Sequence, residues 1–173
     1  LVLAIGGGSV IDCAKVVAAG ACYDGDPWDL VITPRWIKKA LPIYSVLTLS
    51  ATGSEMDPFA VISDMSKNEK WGTSSEHMKP KMSILDPEYT YSVSKKQTAA
   101  GTADMISHIC ENYFTNVKNA DVQARFAEGL LKNCFKYGPI ALEEPDNYDA
   151  RANLMWTASM AIDGILSDGA EVS

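Results

Sequence analysis

The chain has 173 residues, a formal net charge of −7, and 47% hydrophobic against 21% charged residues. These proportions exclude a disordered tail, a collagen-like repeat and a disulfide-dense mini-protein, and leave enough chain to bury a core. The acidic balance disfavours a broad basic surface for nucleic acid or anionic membrane. The four cysteines, Cys13, Cys22, Cys110 and Cys134, contain no C-x-x-C pair and read as reduced thiols of a cytoplasmic protein. No basic segment precedes the opening apolar run, and no stretch approaches the ~18 apolar residues of a membrane span. The chain begins at Leu1, directly on strand-like residues, and ends past Ser167-Asp168-Gly169-Ala170 without a closing element. Both ends suggest a piece of a longer protein.

Leu1 to Ile5 form a continuous apolar run, which suits a strand covered on both faces of a parallel sheet. Gly6-Gly7-Gly8-Ser9 follows, and Val10, Ile11, Ala14, Val17 and Ala18 then recur at helical spacing to about Gly20. The spacing predicts strand, glycine turn, helix. Residues 23–36, rich in Asp, Gly, Pro and Trp, read as a loop with at most one helical turn. Residues 42–49 predict a second strand, and 59–63 and 82–86 two more. The segment between them, Asp64 to Lys81, is polar. Ser94-Lys95-Lys96-Gln97 is a capping box that opens a helix running to about Phe114. A second helix is expected from about Ala120 to Tyr137, stopped by Gly138-Pro139. A third begins after Asp146, with Leu154, Ala158, Ala161, Ile162 and Ile165 on one face. No strand is predicted after residue 92. The chain therefore divides into an α/β part, residues 1–92, and an all-helical part, residues 93–173.

Three glycines between a strand and a helix exceed what a tight turn needs. They let the backbone approach a phosphate at a helix N-terminus, with Ser9 as an added hydroxyl donor. The spacing is neither G-x-G-x-x-G nor a Walker A loop, so an ordinary βα turn stays open. Asp12, one turn into the helix, is either a helix-start charge or a group for a polar ligand. Thr48, Thr52, Gly53, Ser54 and Glu55 make a hydroxyl-rich turn at the C-terminal end of a strand, where open α/β sheets bind ligands. Lys70 could meet a phosphate or ribose oxygen, or be a solvated lysine. Asp104 and His108 stand four apart on the first C-terminal helix, with Cβ atoms ~5–6 Å apart. They either share a divalent metal or hydrogen-bond each other among Met105, Ile106, Ile109 and Cys110. The other histidine, His77, has no partner by spacing. Trp28, Trp36, Trp71 and Trp156 read as core or interface. The stripes Phe126, Leu130, Leu131, Cys134 and Leu154, Met155, Met160 read as bundle core.

Taken together, G-G-G-S-V-I-D, T-L-S-A-T-G-S-E, I-L-D-P and G-T-A-D-M-I-S-H, in that order and spacing, resemble the iron-containing alcohol dehydrogenases. The run from Glu144 to Trp156 looks most like their butanol-dehydrogenase and aldehyde-reductase branch. The resemblance implies the fold: a Rossmann-like α/β cofactor domain followed by an all-α metal-binding domain, each partial in this chain. It implies that Gly7, Gly8 and Ser9 bind the cofactor pyrophosphate with Asp12 nearby. Thr48, Leu49 and Thr52 would line the same cleft, Lys70 would approach the ribose, and Asp104 and His108 would be two metal ligands. Asp57, where some relatives carry Asn, is assigned no contact.

The implied chemistry is interconversion of primary alcohols and aldehydes with NADP or NAD, the branch leaning to NADP, and with Fe or Zn as the divalent metal. The family pattern places two further histidine ligands beyond Ser173 and the βαβ portion at the adenosine end before Leu1. A chain ending at Ser173 would then hold metal weakly and turn over little. A small-molecule substrate, cytoplasmic location and homo-oligomeric assembly also follow from the resemblance. Competing readings are a glycerol-dehydrogenase or dehydroquinate-synthase-like enzyme, and a non-catalytic nucleotide-binding module.

Overall fold

The computed structural model describes residues 1–115, 117–162 and 164–166. The expectation of an unclosed end at 167–170 lies outside the described residues. Two compact units emerge. The first comprises Leu1–Leu47 and Ser54–Leu85, and the second Thr48–Gly53 and Asp86–Ser173.

The first unit holds a parallel sheet of β1 (Val2–Gly6), β2 (Ile43–Leu47) and β5 (Met82–Ile84), in the order β1-β2-β5. Register pairs Val2 with Ile43 through Gly6 with Leu47, and Tyr44 with Met82 through Val46 with Ile84. Parallel neighbours need long crossovers. Here α1 (Gly8–Gly20) and α2 (Pro27–Ile32) occupy the connection from β1 to β2. Ala18, Ala19, Leu30, Ile37, Ile43 and Met78 form the core.

Within this chain, β1 packs on one face. Ala4 is buried, but Leu3 and Ile5 are 55% and 61% exposed, because successive side chains alternate across a strand and only one face packs within this unit. Residues 23–36 also carry more helix than expected. Asp26 accepts from Trp28 N at 2.9 Å and Pro27 opens α2, a cap-and-proline start. A 3-10 turn follows at Pro34–Trp36.

The polar segment after Asp64 contains an unanticipated strand. β3 (Phe59–Asp64) pairs antiparallel with β4 (Glu69–Ser74), Phe59 opposite Ser74 and Asp64 opposite Glu69. The turn closes because Asn68 takes φ 54° and Asp64 accepts from the amide and hydroxyl of Ser66. β4 is mostly exposed, so it shows no apolar alternation; backbone pairing makes it a strand.

The second unit packs α3 (Lys95–Tyr113), α4 (Asp121–Glu143) and α5 (Tyr148–Ile162) around Met105, Ile109, Cys134, Ala141, Leu154 and Ala158. Ser94 caps α3, its hydroxyl accepting from Gln97 N at 3.3 Å. No strand follows residue 92 among the described residues. Contrary to the predicted stop at Gly138-Pro139, α4 runs through it to Glu143. Gly138 and Ala141 are buried, and that packing outweighs the helix-breaking cost of the proline, about 3 kcal/mol. Helix α5 ends at Ile162, so Ile165 lies outside it and is 42% exposed. Phe126 also faces solvent, as do Trp36, Trp71 and Trp156. No described helix is long and apolar enough to cross a membrane, and all four cysteines are free.

Candidate functional site

In the first unit, Gly6 ends β1 and Gly7 caps α1 with extended backbone, φ −85° and ψ −171°. The Gly7 carbonyl accepts from Val10 N at 3.1 Å and Ile11 N at 3.2 Å. A Cβ on Gly6 would lie 2.7 Å from the Val10 side chain, so the turn is this tight only with glycine. Gly8 is buried and Ser9 exposed, and the first N–H groups of a helix have no intrahelical partner. This cradle fits the pyrophosphate of a dinucleotide, which needs close backbone approach and a positive helix end.

Asp12 is bonded to residues far along the chain. Its Oδ1 accepts from the Ser54 hydroxyl and its Oδ2 from Val61 N at 2.9 Å. One turn further, Lys15 is wholly buried. Its ammonium donates to Ser54 Oγ at 2.9 Å, Asp57 Oδ1 at 2.7 Å and the Phe59 carbonyl at 2.6 Å. Burial pushes the Asp57 carboxyl up, Lys15 and the Phe59 amide pull it back, and Asp12 pushes it further up. This network ties α1 to the start of the β3–β4 hairpin, which carries Lys70. Lys70 itself is exposed, opposite Ser63. Reading Asp12 in isolation missed Lys15 altogether and gave no sign that Ser54 and Asp57 share its network. The available signal was Lys15 in the apolar stripe of Ile11, Ala14 and Ala18: a lysine there must be paired.

Thr48, Leu49 and Thr52 are half-buried and group with the helical unit. Gly53 takes φ +69°, and any Cβ there would collide with Ile162 and the Ala158 carbonyl of α5. Asp104 and His108 project from one face of α3, with Nε2 of His108 3.8 Å from Oδ1 of Asp104. The pair is half-exposed, although Met105 and Ile109 on the same helix are buried. His108 Nδ1 has no hydrogen-bond partner among the described residues.

Carboxylate and imidazole are compatible donors for Fe or Zn. Ligands bonded at ~2.1 Å in a tetrahedral shell stand ~3.4 Å apart, so the pair fits two positions on one ion with a small closure. Among the described residues no group of three or more His, Cys, Asp or Glu completes a shell. His77 lies in the Glu76–Met78 turn of the other unit.

The iron-containing alcohol dehydrogenase model matches residues 1–87, and the C-terminal model of the Fe-containing family matches residues 98–170. The chain is 62% identical over 169 residues to NADH-dependent butanol dehydrogenase A of Clostridium acetobutylicum, covering 98% of this chain and 43% of that protein. It is 46% identical over 170 residues to the NADPH-dependent aldehyde reductase YqhD of Escherichia coli, covering 96% of this chain and 44% of that protein. The crystal structure of NADH-dependent butanol dehydrogenase A from Thermotoga maritima superposes with TM-score 0.91 at 48% identity, over 95% of this chain and 41% of that one. The chain thus spans less than half the length of these relatives. Its glycine cradle falls within the first matched model and its Asp104/His108 pair within the second, and the chain belongs to the iron-containing alcohol dehydrogenase family.

Proposed function

We propose that the protein containing this chain interconverts primary alcohols and aldehydes with NAD(P)(H) at a divalent metal, iron before zinc. The observation that carries this reading is the Asp104/His108 pair, one helical turn apart on one face of α3 and 3.8 Å from each other. It occurs in a chain matched by both family models. Residues 1–92 form the dinucleotide-binding part and residues 93–173 the helical metal-binding part of this proposal.

Within it, Gly7, Gly8 and Ser9 present N–H and hydroxyl donors to the pyrophosphate. Asp12 orients the hairpin carrying Lys70, whose ammonium meets a ribose or phosphate oxygen. Thr48, Leu49 and Thr52 flank the bound cofactor. Asp104 and His108 hold the metal and take no part in proton transfer. The metal supplies a Lewis acid that polarises the carbonyl oxygen, and the nicotinamide supplies the hydride. Aldehyde, NAD(P)H and one proton give alcohol and NAD(P)+.

The four free thiols support a reducing, cytoplasmic compartment, and exposed Trp36, Trp71 and Trp156 support self-association. The test is oxidation of NADH and of NADPH by butanal with the complete protein, before and after chelation. Metal-dependent turnover is the expected result, and the preferred coenzyme follows from the two rates. Undiminished turnover by metal-free protein would overturn the mechanism. Coenzyme binding without turnover on any aldehyde would leave a nucleotide-binding module instead.

A further inference from the structure

Gly101 lies within the helical unit at the point where α3 meets the Thr48–Gly53 turn. A Cβ on Gly101 would sit 2.5 Å from the Ser50 carbonyl oxygen and 3.3 Å from the Ala51 Cβ. Backbone, not a flexible side-chain end, is what it would strike. Gly101, Asp104 and His108 are spaced three and four residues apart, so they share one stripe of the helix. The turn bearing Thr48, Leu49 and Thr52 therefore docks ~4.5 Å along the axis before Asp104 and ~10.5 Å before His108.

Neither partner can easily slide. The Arg151 guanidinium donates to Thr98 Oγ1 at 3.0 Å and to the Pro145 carbonyl at 2.8 Å, anchoring the first turn of α3. On the other side of the turn, Gly53 is pressed against Ala158 and Ile162 of α5.

We propose that Gly101 is a positioning residue: the close approach that only glycine allows sets the spacing between the cofactor-flanking turn and the metal pair. The inference rests on the roles assigned above to Thr48, Leu49, Thr52, Asp104 and His108. Alanine at 101 would force the contact apart by roughly an ångström, a misplacement of the size that costs about 100-fold in rate at a reacting centre.

Gly138 of α4 supplies a matched control. A Cβ there would meet the Thr102 Cγ2 of α3 at 2.8 Å, a close contact with the same helix that falls on a side chain and not on the Ser50 carbonyl. In the complete protein, Gly101→Ala should weaken both NAD(P)H binding, measured by fluorescence titration, and Zn2+ binding, measured by calorimetry on metal-free protein. Gly138→Ala should leave both near wild type, whatever either variant does to Tm. Unchanged affinities in Gly101→Ala, or equal losses in Gly138→Ala, would overturn the proposal. If Gly101→Ala does not fold, Ala51→Gly carries the test. It loosens the backbone next to the Ser50 carbonyl without added bulk and should weaken NAD(P)H binding, and an unchanged affinity overturns the proposal. Wild-type protein that binds neither NAD(P)H nor Zn2+ brings down the functional reading itself.

Discussion

Lys15 Nζ lies 2.7 Å from Asp57 Oδ1, with the lysine side chain wholly buried and the aspartate nearly so. Breaking a buried pair from one side strands a charge, at a cost of about 3–5 kcal/mol. Lys15→Met should therefore lower Tm sharply. Lys15→Met combined with Asp57→Leu should recover part of the loss, because no unpaired carboxylate remains. A double variant less stable than Lys15→Met would contradict this account.

The same pair predicts a pH dependence. Burial raises the Asp57 carboxyl and Lys15 opposes that rise. Removing Lys15 leaves burial and Asp12 opposed by the Phe59 amide alone, so the carboxyl rises further. A carboxyl raised in the folded state contributes stability below the unfolded carboxylate range and loses it as pH climbs through the folded value. The Tm gap between wild type and Lys15→Met should thus narrow on acidification toward about pH 4 and widen toward neutrality. A gap independent of pH would show that Asp57 does not titrate in the variant.

Thiol labelling separates two cysteines. Cys13 is exposed, whereas Cys134 is buried and its thiol is pushed up to about 11. The thiolate is the reacting form. Native protein near neutral pH should label at Cys13 and leave Cys134 untouched until denaturant is added, as peptide mass spectrometry would show. Comparable native labelling of both would contradict the packing of Cys134 against the α3–α5 core.

Asp104→Ala and His108→Ala should each reduce bound metal per chain in the complete protein while far-UV circular dichroism stays unchanged. The Asp104 side chain is 40% exposed and 3.8 Å from His108, so its loss disturbs little packing. Metal content equal to wild type, by plasma mass spectrometry, would remove these residues from the ligand set.

Lys70 is exposed on β4. Lys70→Ala should raise the Kd for NAD(P)H about tenfold, the worth of one charged hydrogen bond. The defect should shrink with added salt, and Tm should not move. A Kd equal to wild type at low salt would leave Lys70 a solvated lysine.

Several elements were legible because their signals are local. Ser94 and Gln97 mark the start of α3, and the glycines after an apolar run mark the β1–α1 turn. The i, i+4 spacing alone brings Asp104 beside His108. Other features depend on partners far along the chain. β4 is polar and exposed and is a strand through pairing with β3. Pro139 reads as a stop, yet α4 continues because Ala141 beyond it is buried in the bundle. Asp12 reads as a lone helix-start carboxylate by spacing, and its bonds to Ser54 and Val61 reach residues more than 40 positions away.

From its sequence alone, this protein's α/β-then-helical order, glycine cradle, metal-pair candidates and family likeness were determined, since each rests on spacing within a few residues or on motif order. Only the tertiary structure decided that the Thr48–Gly53 turn groups with the helices rather than with the strand preceding it, and that Lys15 is sealed against Asp57. It alone decided that Gly101 meets the Ser50 carbonyl. Those outcomes come from atoms roughly 40 to 110 residues apart in sequence packing to the density of a protein interior, which no local pattern encodes.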